Sequence, residues 1–79
     1  MITAEQCRAA RGLLDWTQAD LSRHVSISVV SLRAFEKGGE MRASNLKLLK
    51  LTLERAGVVF IPENGGGAGV RLAKPRDAE

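Results

Sequence analysis

The chain has 79 residues, with 12 Lys and Arg against 9 Asp and Glu, for a formal net charge of +3. That length fits one domain whose core is small, since a chain of this size buries only about 60% of its unfolded surface; a large substrate cleft is excluded. With 44% hydrophobic and 27% charged residues the chain is of folding composition, but Trp16, Phe35 and Phe60 are too few rings for a single-strand stacking platform.

Thr3-Ala-Glu-Gln6 predicts the first helix start, because the Thr hydroxyl can accept an N–H three residues on while Gln6 reaches back. Its inward stripe is Cys7, Ala10 and Leu14, with Gly12 near its end. Thr17 caps a second helix, Asp20 sits at the positive end of its dipole, and Leu21 and Val25 form its apolar pair. Ser26-Ile27-Ser28 is a short polar break with one apolar residue inside it. Ser28 then caps a third helix, Val29 to Lys37, stopped by Gly38-Gly39 in the manner of a left-handed C-cap. Leu32 and Phe35 share its inner face.

A fourth helix runs from near Ser44 to Gly57. Leu46, Leu49 and Leu53 make its stripe, and Leu48 and Leu51 widen it sideways, which calls for a second packing partner. Val58-Val59-Phe60-Ile61 and Gly69-Val70-Arg71-Leu72 read as strands around the turn signal Glu63-Asn64-Gly65-Gly66-Gly67. An isolated hairpin is marginal in water, so this one must dock on helix four or pair with another chain. The expected organisation is a helical domain over 1–57, a hairpin extension over 58–72 that is a candidate dimer surface, and a flexible polar tail over 73–79.

One cysteine, Cys7, and one histidine, His24, exclude an internal disulfide and a zinc site. The N-terminal residues lack a basic region followed by an apolar run, so no signal peptide is expected, and no apolar stretch has the length of a membrane span. A cytoplasmic location without membrane association is therefore expected. No paired carboxylates fall in a predicted cleft, His24 is mid-helix and Cys7 reads as a packed small hydrophobe; an enzyme is disfavoured, and no metal or other cofactor is expected. Residues 1–42 carry six basic and five acidic side chains, a balance of +1. Any basic patch in them has to come from placement rather than bulk charge.

The informative stretch runs from Thr17 to Gly38. Two short helices joined by a tight turn form a unit whose second helix fits the DNA major groove. Thr17-Gln18, Leu21, Val25, Ser28, Leu32 and Glu36-Lys37-Gly38, with Arg11 upstream, resemble the lambda-repressor-like helix-turn-helix proteins of the Cro/repressor type, often called the XRE family. The resemblance covers residues 3 to about 56. It implies a mainly α fold, a compact bundle of four or five helices, here followed by a short C-terminal β-hairpin or strand. It also implies double-stranded DNA as partner, usually bound by a homodimer.

Residue by residue, the resemblance gives Gln18 a phosphate contact and a bracing role toward the recognition helix, and Thr17 a phosphate contact beside its cap. Ser28, Val29, Val30, Ser31 and Arg33 take the start and outer face of that helix. Arg11 and Glu36 match a partly buried ion pair, and Arg42 lies in a loop that meets phosphate. Two features depart from the family pattern. Ser26 stands where glycine is usual, so a left-handed backbone there carries strain. Val29 and Val30 replace Gln or Asn at the leading base-reading positions; they can pack on thymine methyls but make no bidentate bonds, which leaves Arg33 as the candidate guanine reader. Read as ordinary structure, the two valines are core, Gln18 is a surface residue and His24 an exposed helix residue, while Trp16 covers the core between helices one and two. The fold also accommodates a protein-interaction module, or an antitoxin-like subunit whose strands grip a protein partner.

Overall fold

Thr3 opens the first helix as its chemistry dictates: its Oγ1 accepts the Gln6 N–H at 3.1 Å while Gln6 Oε1 accepts the Thr3 N–H at 2.9 Å. The computed structural model describes residues 1–74; residues 75–79, most of the expected tail, lie outside the described residues. Helix α1 covers Ala4–Leu14 and ends at Asp15, whose φ of 59° is left-handed. Gly12 lies in its last turn, near the end as expected. Helix α2, Gln18–Val25, begins with a second reciprocal cap between Thr17 and Asp20.

The turn over residues 26–28 is short because each member has a separate role. Ser26 takes the left-handed conformation at φ 60°, the strained geometry expected of a non-glycine residue there. Ile27 is buried in the core, and its carbonyl accepts the Ser22 hydroxyl at 2.6 Å. Ser28 accepts the Ser31 N–H at 3.1 Å and so caps α3, Val29–Glu36. Lys37 lies just past the helix. Gly38 follows at φ 102°, and the Gly39 N–H closes the end on Ala34 O at 2.9 Å. A Cβ on Gly39 would stand 2.8 Å from that same oxygen, so the close approach requires glycine.

Helix α4 spans Ala43–Arg55, starting one residue before Ser44, with Arg42 at the N-cap position and no side-chain cap. Arg42 is already helix-adjacent backbone, which ties its position to α4 more firmly than a free loop would. Gly57, at φ 111°, turns the chain into β1, Val58–Ile61, which pairs antiparallel with β2, Gly69–Leu72. Val58 stands opposite Leu72 and Ile61 opposite Gly69.

The core collects Cys7 and Ala10 from α1, Leu21 and Val25 from α2, Leu32 and Phe35 from α3, Leu49 and Leu53 from α4, and Val58 from β1. Each fully buried leucine contributes roughly 1.5–3 kcal/mol through removal from water. Of the wide leucine arc, Leu49 and Leu53 are buried and Leu46 is half-buried, while Leu48 and Leu51 stay exposed. The hairpin docks within its own chain, on α4 and also on α1. Gln6 supplies the α1 link: its Nε2 donates to Gly69 O at 3.1 Å and to Ile61 O at 3.3 Å, reaching the two residues paired at the end of the ladder. The described residues thus form a small, mainly helical bundle of four helices completed by a two-stranded antiparallel sheet.

Candidate functional site

The α2–turn–α3 pair presents one outward surface and is anchored from behind by a single carboxylate. Arg11 approaches Glu36 side-on, with Nε to Oε2 at 2.8 Å and Nη2 to Oε1 at 2.7 Å. The Glu36 side chain is 3% exposed and that of Arg11 20%. Gln18 Nε2 donates to Oε1 at 2.9 Å, and the Cys7 thiol donates to Oε2 at 3.2 Å. Arg8 Nη1 donates to the Glu36 backbone carbonyl, and Arg11 Nη1 to that of Trp16 at 3.1 Å. Four residues of α1 and α2 therefore converge on the last residue of α3, three of them on its carboxylate.

The electrostatics follow from that geometry. Burial by itself opposes ionisation of Glu36, but hydrogen bonds from Arg11, Gln18 and Cys7 together outweigh it and hold the carboxyl below its ordinary range. The hydrogen bond to Glu36 raises Arg11 further, against the cost of its own burial. Burial, followed by the adjacent carboxylate, pushes the Cys7 thiol far up, so it stays protonated and donates. Cys7 packs in the core as expected of a small hydrophobe, and its thiol is in addition a hydrogen-bond donor to the anchor.

On the outward surface, Thr17, Ser28, Val30, Ser31, Arg33 and Arg42 are exposed, and Gln18 and Val29 are half-buried. Val30 is 71% exposed, a large value for a β-branched apolar residue. Val29 is half-buried outside the core cluster, so of the two valines Val30 presents the more open side chain. A shallow groove of about 340 Å³ brings Val30 and Ser31 of α3 together with Arg42 and Asn45 at the start of α4, and Ala34, Glu40 and Met41 complete its lining. Thr17, Gln18 and Arg33 lie outside that groove. Glu40, Met41 and Asn45 were not singled out by sequence reasoning; the signal for Asn45 is its place in the first turn of α4, where a polar side chain lies beside free backbone amides.

No known family model matches the chain, and no curated protein matches it. Among the described residues no group of three or more His, Cys, Asp or Glu is placed to hold a metal ion, and no helix is long and apolar enough to cross a membrane.

Proposed function

We propose that the chain is a sequence-specific binder of double-stranded DNA, a transcriptional regulator of lambda-repressor-like fold that inserts α3 into the major groove. The observation that carries this reading is the division of labour on α3. Its last residue, Glu36, is locked to α1 and α2 by Arg11, Gln18 and Cys7, while Ser28, Val30, Ser31 and Arg33 remain exposed at its start and outer face. A short helix held from behind, with an exposed outer face, suits groove reading.

In this reading phosphate contacts set the register and base edges set the sequence. The Thr17 hydroxyl accepts the Asp20 N–H and keeps its proton for a phosphate oxygen. Gln18 uses one amide N–H on Glu36 and has a second for phosphate, so it braces and binds at once. Arg42 adds a charge-assisted contact. Val30 packs on a thymine methyl, and Arg33 reads guanine O6 and N7. Two copies bind half-sites about 34 Å apart, joined through the exposed Leu48, Leu51 and Ile61 of α4 and the hairpin.

Selection of bound sites from a random DNA library, repeated across salt concentrations, tests the proposal. Enrichment of a defined site with affinity falling steeply as salt rises is expected; no enrichment at any salt overturns it. One observation favours a second reading, a protein-interaction module: Glu40 lines the same groove as Arg42 and the exposed Val30. An acidic and apolar surface of that kind suits a protein, and salt-insensitive capture of a protein partner without DNA binding would support it.

A further inference from the structure

We propose that the open cleft between α1, α2 and α4, away from the α3 surface, is a binding site for a small aromatic carboxylate. The cleft measures about 460 Å³ and is lined by Leu14 of α1, Trp16 of the α1–α2 link, His24 of α2, and Thr52, Arg55 and Ala56 at the end of α4. That volume lies within the roughly 300–1,000 Å³ of small-molecule sites, and its lining mixes apolar and aromatic surface with a few polar groups as such sites do.

Three features define the ligand. Trp16 and His24 stack with ring centroids 4.1 Å apart and planes 17° from parallel, so one wall is a preassembled aromatic pair that prefers a flat ring. Second, unused donors are present: among the described residues neither the Arg55 guanidinium nor Trp16 Nε1–H has a hydrogen-bond or ion-pair partner, whereas the neighbouring Glu54 is paired with Lys50. His24 Nδ1 donates to Asp20 O at 2.8 Å, which fixes the ring of the aromatic wall. Third, none of the six lining residues is acidic, so an anion meets attraction and no opposing charge. A planar ring carrying one carboxylate fits all three, the guanidinium supplying a paired N–H fork.

The site also has a route to the α2–α3 unit. The Trp16 carbonyl accepts Arg11 Nη1 at 3.1 Å, and Arg11 holds Glu36. The binding site itself, however, is independent of what the α3 surface recognises.

The full chain, free of DNA, is titrated with benzoate and followed by ¹⁵N–¹H spectra, in which the one tryptophan gives one indole N–H signal. Saturable shifts of that signal and of the Thr52 and Ala56 amides are expected, with a dissociation constant of about 0.1–3 mM for so small a ligand. Benzyl alcohol, which lacks the charge, and cyclohexanecarboxylate, which lacks the flat ring, are expected to bind at least about fivefold more weakly. Arg55→Gln, at an exposed helix end, is expected to lower benzoate affinity by about the same factor while leaving the remaining spectrum in place. No saturable shift up to about 20 mM benzoate overturns the site. Equal binding of the three probes, or unchanged benzoate affinity in Arg55→Gln, overturns the ligand class. Because no DNA is present, none of these outcomes depends on the proposed function.

Discussion

Gln18 and Glu36 stand 18 residues apart in the chain and meet through one hydrogen bond, Gln18 Nε2 to Glu36 Oε1 at 2.9 Å. It joins the first residue of α2 to the last of α3, so the two ends of the α2–α3 unit are fixed against each other as well as through the turn. Arg11 brings α1 to the same carboxylate. The orientation of α3 therefore rests on this carboxylate as well as on the packing of Leu32 and Phe35 in the core.

Glu36→Gln keeps the shape and removes the charge. The Arg11 guanidinium is then left partly buried without its counter-ion, and removing one partner of a buried pair costs about 3 kcal/mol or more. Urea unfolding followed by circular dichroism checks this; a loss under about 0.5 kcal/mol would mean the pair is no more than a surface contact.

The same network fixes the pH dependence. Glu36 is held below its reference value of 4.5 in the folded chain, so its contribution is fully present above that pH. It is lost as pH falls through the lower folded value, when the carboxyl takes up a proton. At the alkaline end the Cys7 thiol, raised above its reference of 9.0, stays protonated when folded. The unfolded thiol ionises above pH 9.0, so stability falls there. Urea midpoints measured across pH should decline at both ends, with Glu36→Gln flattening the acid limb and Cys7→Ala the alkaline one.

Ser26 occupies φ 60° at the hinge of the turn. Ser26→Gly removes the Cβ penalty but adds freedom to the unfolded chain, for a net gain of about 0.5 kcal/mol. Gly39→Ala acts in the opposite sense, because its Cβ would meet Ala34 O at 2.8 Å; a loss of about 1–3 kcal/mol is expected. Thermal melts of the two variants should move in opposite directions.

Under the proposed function, Gln18→Ala weakens binding to all DNA sequences alike, through both a lost phosphate contact and a loosened α3. Arg33→Ala leaves non-specific affinity largely in place and relaxes base preference, with about 1–3 kcal/mol of discrimination lost at the position it reads. Electrophoretic shifts on selected and scrambled sites separate the two patterns; unchanged binding in both variants would sink the docking described.

The helix starts were legible because Thr3, Thr17 and Ser28 cap through bonds to residues three positions on, a local chemistry any reader of the chain can see. The hairpin was legible from its β-rich runs and glycine turn. The residue that ends α1 was not: Gly12 lies near the end, but the chain turns at Asp15 with a left-handed φ of 59° that no glycine announces. Nor was the full set of groups on Glu36. Its donors come from positions 7, 11 and 18, brought together by packing, and apolar periodicity assigned Cys7 to the core without its thiol bond. Gln6 shows the same limit: its cap was readable, while its bonds to Ile61 and Gly69 depend on where the hairpin lands.

That Gln6 amide has a consequence for how the molecule comes into being. Its oxygen serves the opening turn of α1, and its nitrogen waits for carbonyls 55 and 63 residues downstream. During synthesis the first helix emerges long before the strands that satisfy it, and until then a polar group destined for the interior is left to water. Residues 1–57 and the hairpin are thus tied by side-chain bonds as well as by packing. Removing the hairpin would strip the Gln6 amide nitrogen of both carbonyls, so the loss would reach the opposite end of the polypeptide.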